Sequence, residues 1–221
     1  MLIETSFENQ VVLITGAGKG LGRALCLAFA GQGARLAAND LTPINLDVTV
    51  EQVRSHDGQI RDYVLDIAKK MPAQALVQQV CDEWGRVDIL INNAGVSPQE
   101  SLFSLGEWEW QRSLDVNLSA PFYLTQAVGE MMRQHGGGVI LNLGASQQYL
   151  QSMPSPTALS ASKMGLIGLT KAAARELAPY QIRVNMICPS WVEAQKVVSQ
   201  ALFLCSPLAA EISGQIFEID S

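Results

Sequence analysis

A chain of 221 residues, 48% apolar and only 16% charged, has room for one well-packed domain with a large core. Its net charge of −6, with no lysine or arginine run, argues against nucleic acid or an anionic membrane as partner. No apolar stretch reaches membrane-spanning length, and Met1-Leu2-Ile3-Glu4-Thr5 lacks the basic-then-apolar order of a signal peptide, so a cytoplasmic protein is expected.

The first predicted element is the apolar run Val11–Thr15, which stops at Gly16-Ala17-Gly18-Lys19-Gly20-Leu21-Gly22. An alanine-rich helical stretch, Leu21–Gln32, follows at once. Glycine turns the chain tightly and lets a phosphate approach the backbone, while the new helix offers free N–H groups and a dipole that favour an anion. The second strand, Arg35–Asp40, ends on an acidic residue. Strand, glycine turn, helix and terminal acid together outline a dinucleotide-binding fingerprint.

Further strands are expected at Gln59–Leu65, Ile89–Asn92, Val139–Asn142, Arg183–Ile187 and Gln215–Ile219, and helices at Pro72–Trp84, Glu107–Gln134, Ala158–Ala178 and Glu193–Leu204. Short, nearly continuous apolar strands suit a parallel sheet covered on both faces. The alternation predicts an α/β, Rossmann-like, doubly wound sandwich of about seven parallel strands with helices on both faces, forming a single domain over 1–221. Ligand then belongs at the carboxyl ends of the strands. Gly136-Gly137-Gly138 reads as a helix-to-strand turn, and Trp84, Trp108 and Trp110 as packing residues on helix faces. Cys26, Cys81, Cys188 and Cys205 lie scattered in apolar surroundings and read as free thiols of a reducing compartment. With only His56 and His135, no metal centre is expected.

Polar residues recur where the strands should end: Asn92-Asn93-Ala94-Gly95, Asn142-Leu143-Gly144-Ala145-Ser146, and Ser162-Lys163 in the helix that follows. With the T-G-x-x-x-G-x-G turn of Thr15, Gly16, Gly20 and Gly22, with Asp88 before the Asn-Asn-Ala-Gly motif, and with Asp115-Val116-Asn117-Leu118, the chain resembles the short-chain dehydrogenase/reductase family over nearly its whole length.

The resemblance implies roles for individual residues. Thr15, Gly16, Gly18, Lys19, Gly20, Leu21 and Gly22 form the pyrophosphate turn. Asp40 is expected to accept hydrogen bonds from the adenosine ribose and to repel a 2′-phosphate, which favours NAD over NADP. Lys19 pulls the other way, and Asp40, nearer the 2′ position, is expected to decide. Asp66 and Ile67 border the adenine, and Asn93, Ala94 and Gly95 pass beneath the adjoining ribose. Pro189 and Val192 lie in the segment that faces the nicotinamide. A homo-dimer or homo-tetramer is implied too, and it agrees with small and apolar residues on several faces of Ser119–Gln134 and Ala158–Ala178.

At the reactive centre the resemblance breaks. The family relies on Tyr-x-x-x-Lys, the phenol as general acid/base and the lysine as its activator and ribose contact. Lys163 is present, but four residues upstream, on the same helix face, stands Leu159. Leucine has no proton to exchange, and positioned acid–base catalysis is typically worth about 10²–10⁴ in rate. Tyr149 is the candidate that loop folding could bring in. The family serine falls at Ala145 counting from Asn142 and at Ser146 counting back from residue 159; Ser146 is taken as the substrate-side hydroxyl. Asn117 matches an asparagine of the family's proton relay, or is a polar residue bonded at a helix kink. After Cys188-Pro189, Ser190 replaces a glycine, Ala194 stands where a threonine belongs, and the family's helical lid is missing. Trp191 either plugs the opened pocket or packs in a core or interface.

Two functions remain open from these residues. By resemblance the protein is an NAD(P)(H)-dependent oxidoreductase of an alcohol or ketone, impaired by Leu159, with Asn117, Ser146 and Lys163 as surviving catalytic residues. Residue chemistry alone tips towards a non-catalytic nucleotide-binding or oligomer-forming module of the same fold.

Overall fold

A computed structural model describes residues 6–190 and 192–220, so the readings on Met1–Thr5 and Trp191 lie outside the described residues. The elements run β1 (Val11–Thr15), α1 (Gly20–Gly31), β2 (Arg35–Asp40), α2 (Pro43–Arg54), β3 (Gln59–Val64), α3 (Lys70–Trp84) and β4 (Ile89–Asn92). They continue with α4 (Glu107–Leu114), a π-helical turn (Asp115–Ser119), α5 (Ala120–Gln134), β5 (Gly138–Leu143), α6 (Gln147–Ser152) and α7 (Thr157–Leu177). The chain then forms β6 (Ile182–Pro189), α8 (Ala194–Cys205) and β7 (Ile216–Ile219).

Among the described residues seven strands form one sheet in the order β3-β2-β1-β4-β5-β6-β7, every neighbouring pair parallel. This is the doubly wound Rossmann-like arrangement that the alternation of elements predicts. Alternate residues of each strand serve opposite faces. Val12 and Ile14 of β1 join Leu25 and Phe29 of α1, Leu46 of α2 and Val197 of α8 in one core. Val11 and Leu13 join Leu76 of α3, Leu124 of α5 and Ala173 of α7 in the other. Each fully buried leucine or isoleucine contributes about 1.5–3 kcal/mol, so both faces hold the sheet firmly. The chain leaves β1 outwards to β3 and returns to β4, which opens a crevice at the carboxyl ends of β1 and β4.

Four local features depart from expectation. Helix α2 was absent from the predicted elements because Ile44, Val48, Thr49 and Val50 are β-branched and weak helix formers. Pro43 at its start and Leu46, Thr49, Val50 and Val53 buried on one side stabilise it in place. The stretch Glu107–Gln134 is not one uniform helix: the π turn, at Asn117, separates α4 from α5. Short helix α6 was likewise not foreseen. Trp108 and Trp110 are 71% and 36% exposed, so the packing reading fails for Trp108 above all. Trp84 does pack, its Nε1 donating to Tyr63 Oη at 3.1 Å. Gly136 and Gly137 take φ of +87° and +115° in the turn into β5, as a helix-to-strand turn requires. All four cysteines are free thiols, Cys26, Cys188 and Cys205 buried and Cys81 partly so. Among the described residues no helix is long and apolar enough to cross a membrane.

Candidate active site

The glycine turn is built by contacts that only glycine tolerates. A Cβ on Gly22 would lie 2.0 Å from the Gly16 carbonyl oxygen, and one on Gly16 would lie 2.9 Å from Ala94 Cα. Gly20, at φ +53°, has nothing within 4 Å of where its Cβ would sit, so the start of α1 faces open space. Lys19 caps that helix without a side-chain hydrogen bond, which leaves its first N–H groups to a ligand. An open cradle of unpaired donors at a helix start fits a pyrophosphate.

The cradle opens into a cleft of about 480 Å³. Gly16, Lys19, Gly20, Leu21, Gly22, Asp40, Asp66, Ile67, Asn93, Ala94 and Gly95 all line it, so the structure brings together most of the predicted nucleotide contacts. Three others point elsewhere. Thr15 is buried, its hydroxyl accepting from the N–H groups of Asn93 and Ala94 at 3.1 Å each, and it ties β1 to the loop after β4. Gly18 is buried behind the turn and donates its N–H to Asp40 Oδ2 at 2.8 Å. Val192 packs on the core formed by α1 and α8.

Asp40 thereby holds backbone with both oxygens, Oδ1 taking the Leu41 N–H at 2.7 Å. Each carboxylate oxygen keeps further acceptor capacity beyond these backbone bonds. The unforeseen helix α2 braces the turn from outside. Thr49 Oγ1 donates to the Ala17 carbonyl at 3.0 Å and accepts from Arg23 Nε at 3.0 Å. Asn93 Nδ2 fastens the inner side, donating to the carbonyls of Thr15 and Gly16 at 2.9 and 3.0 Å. Sequence reasoning also missed Arg112, whose Nη1 stands 3.1 Å from Asp66 Oδ2 at the cleft wall. Alternating charge with the distant Asp66 leaves no pattern in sequence, so only the α4 docking reveals that pair.

Beside this cleft lies a smaller cavity of about 360 Å³, bounded by Tyr149, Leu159, Lys163, Ala145 and Pro189. Gly95 and Val96 belong to both spaces and form the junction. Leu159 occupies the cavity wall one helical turn before Lys163, packed with Ala145, Leu150 and Tyr149. Of the two serine-position candidates, Ala145 lines the cavity and Ser146 does not. Its hydroxyl is fully buried as the cap of α6, accepting from Tyr149 N at 3.1 Å, while Ala145 meets the cavity. A serine placed one residue later in the strand-to-helix bend turns inwards to satisfy the helix start.

Asn117 lies in the π turn, buried, with its amide paired to Val96 backbone in both directions at 2.8 Å. It also donates to Ser162 Oγ at 3.0 Å, and Ser162 donates to the Leu159 carbonyl at 3.0 Å. This geometry matches the residue bonded at a helix kink. It fixes the junction loop against the first turn of α7.

Lys163 is 6% exposed and donates from Nζ to the Leu143 carbonyl at 2.7 Å. Burial lowers its pKa to about 8, with the Cys188 thiol nearby acting weakly in the other direction. Burial in turn pushes the Cys188 thiol up to about 11, so it stays neutral. In a neighbouring groove lined also by Trp108 and Gln111, Lys69 and Asp115 pair at 2.7 Å. Hydrogen bonds from Lys69 and Gln111 outweigh partial burial and lower the Asp115 pKa.

A depressed lysine pKa makes a signed prediction. Between about pH 8 and about 10.4 the unfolded chain binds the extra proton, so raising pH favours the folded state. Below about 8 both states are charged and the burial cost, up to about 3 kcal/mol, applies in full. Lys163→Met is therefore expected to gain stability over the parent at pH 7 and to lose that gain by pH 10, read from urea unfolding of both proteins. An equal difference at both pH values would contradict it.

The fold agrees with comparisons to known proteins. A family profile described as short chain dehydrogenase matches residues 10–201. A 3-oxoacyl-(acyl-carrier-protein) reductase of Thermotoga maritima is 33% identical, covering 96% of this chain and 97% of that protein. Their alignment runs over 239 positions, more than the 221 residues here, so the relative carries segments this chain lacks. D-threitol dehydrogenase of Mycolicibacterium smegmatis is also 33% identical, over 96% of this chain and 92% of its own. Among solved structures, a short-chain type dehydrogenase/reductase from Mycobacterium marinum superposes with a TM-score of 0.93 at 26% identity, over 97% of this chain and 95% of that one. Hydroxysteroid dehydrogenase from Escherichia coli gives 0.90 at 28% identity, over 98% and 97%. With this profile match and these relatives, the chain belongs to the short-chain dehydrogenase/reductase family; it carries Leu159 four residues before Lys163 and only residues 190–193 between β6 and α8.

Proposed function

We propose that this protein is an oxidoreductase that works with a nicotinamide dinucleotide, NAD(H) in preference to NADP(H), on a small alcohol or ketone. Its rate is held down by the leucine at position 159. The observation that carries this reading is the shared junction. The cavity bounded by Lys163, Tyr149 and Leu159 meets the nucleotide cleft at Gly95 and Val96. When bound, the dinucleotide supplies or accepts the hydride.

The chain's own residues do the rest. Backbone N–H groups of the glycine turn hold the pyrophosphate, and Asp40 accepts from the ribose and disfavours a 2′-phosphate against exposed Lys19. Asp66, braced by Arg112, borders the adenine, and Lys163 reaches the nicotinamide ribose. With no ionisable group at residue 159, Tyr149 is the phenol that exchanges the substrate proton. Relatives named as a reductase and a dehydrogenase support the alcohol–carbonyl class. The short link from β6 to α8 leaves the cavity poorly shielded from water, which also slows chemistry. A homo-dimer or homo-tetramer in the cytoplasm completes the reading. Exposed Phe122 on α5 and Met164 on α7 support the assembly.

Titration calorimetry tests the nucleotide half: NADH is expected to bind measurably and more tightly than NADPH, and no heat at millimolar cofactor would reject it. Steady-state assays over simple ketones and hydroxysteroids test the catalytic half. Turnover is expected to be slow, and Tyr149→Phe is expected to lower it by about 10²-fold or more. Unchanged turnover in that variant would transfer the proton to water.

A further inference from the structure

We propose that Lys163 is also an imine-forming amine, and that the cavity it bounds captures small aldehydes as a covalent adduct. This chemistry requires no dinucleotide and does not rest on the oxidoreductase reading.

A lysine nucleophile needs an electrophile-sized space beside it, no carboxylate to hold it charged, and a share of neutral amine. The first two are geometric and both hold at Lys163, and burial raises the third above that of an ordinary lysine. The cavity of about 360 Å³ has room for an aldehyde of a few carbons. Its lining is mostly apolar, with Leu159, Val96, Ala145 and Pro189, and it also carries the hydroxyl residues Ser97, Tyr149 and Ser190 but no carboxylate. Among the described residues Lys163 makes no ion pair, and its Nζ donates to the Leu143 carbonyl, which fixes the nitrogen in place. Titratable groups facing it are few. Tyr149 comes from α6 and Cys188 from β6, and Glu218 of β7 bears on Cys188. A tyrosine at residue 159 would have set a second polar group beside the amine; leucine instead deepens its desolvation.

The step balances without any redox partner. Nζ attacks the carbonyl carbon, a C–N bond forms, and the C–O bond breaks as the oxygen leaves in water. Both protons of the neutral amine end in that water, and the product is the imine.

The test treats the whole protein with propionaldehyde and sodium cyanoborohydride, which reduces any imine to a stable secondary amine. Peptide mass mapping then reads occupancy at each lysine from pH 6 to 10. At pH 7 Lys163 is expected to label at least about tenfold faster than exposed Lys70 and Lys171, because burial lowers its pKa and the cavity holds the aldehyde beside it. Its pH profile should be half-maximal near 8. Lys163→Arg, which keeps a donor towards Leu143, should remove the fast labelling and leave the exposed lysines unchanged. Labelling confined to the exposed lysines would overturn the proposal. So would a Lys163 profile half-maximal only above about pH 10, the ordinary lysine range. Both of these readouts come from the unaltered chain, so they stand even if the variant fails to fold.

Discussion

Replacing Leu159 with tyrosine is expected to raise carbonyl turnover by about 10²–10⁴-fold, the usual worth of a positioned acid–base group. Leu159 and Lys163 are one helical turn apart on α7 and bound the same cavity, so a phenol at 159 would stand beside the Lys163 ammonium. A neighbouring cation favours the phenolate and moves the phenol's pKa towards neutral, where proton exchange with a hydroxyl or ketone is most effective. The first turn of α7 is already held for this. Asn117 bonds Ser162, and Ser162 bonds the Leu159 carbonyl, so the backbone at 159 is fixed before any side chain is changed. The extra volume enters the cavity, displacing contacts with Ala145 and Tyr149. Following the loss of reduced-nicotinamide absorbance with simple ketones measures the gain. A silent variant that still binds NADH would locate the deeper defect in the short connection between β6 and α8, where few residues remain to enclose a substrate.

Gly22→Ala should be the most damaging of the glycine-to-alanine changes. The new Cβ would lie 2.0 Å from the Gly16 carbonyl oxygen and 2.7 Å from Asn93 Nδ2. The first clash is with backbone, so no side-chain rotation relieves it. Helix α1 must move away from β1, and the movement breaks the Asn93 bonds to Thr15 and Gly16 that set the turn. Overpacking usually costs about 1–3 kcal/mol, and a backbone clash of this depth belongs at or beyond the upper end. Chemical denaturation should show a loss of about 3 kcal/mol or more, and calorimetry a loss of NADH binding. Gly20→Ala is the informative contrast. Its Cβ meets nothing within 4 Å, so its cost is the conformational strain of φ +53° without a packing clash.

Much of this molecule could be read from local pattern. Strand positions follow from short apolar runs that suit burial between two helical layers. The glycine turn follows from residues that alone permit such close backbone approach, and the missing phenol is plain from Leu159 standing four before Lys163. What local pattern could not supply were choices made by packing partners far away in the chain. Helix α2 forms from weak helix formers because β2, β3 and α1 offer a surface for Leu46, Val50 and Val53. Thr49, carried by that helix, then braces a turn some thirty residues earlier. Arg112 meets Asp66 only because α4 docks over the end of β3. Ser146 turns inwards, leaving Ala145 at the cavity, because the start of α6 needs its hydroxyl. Sequence carries the periodicities and the residue chemistry. Tertiary structure decides which polar groups are already satisfied by the protein and which remain for a ligand, because hydrogen-bond partners are chosen by proximity in space.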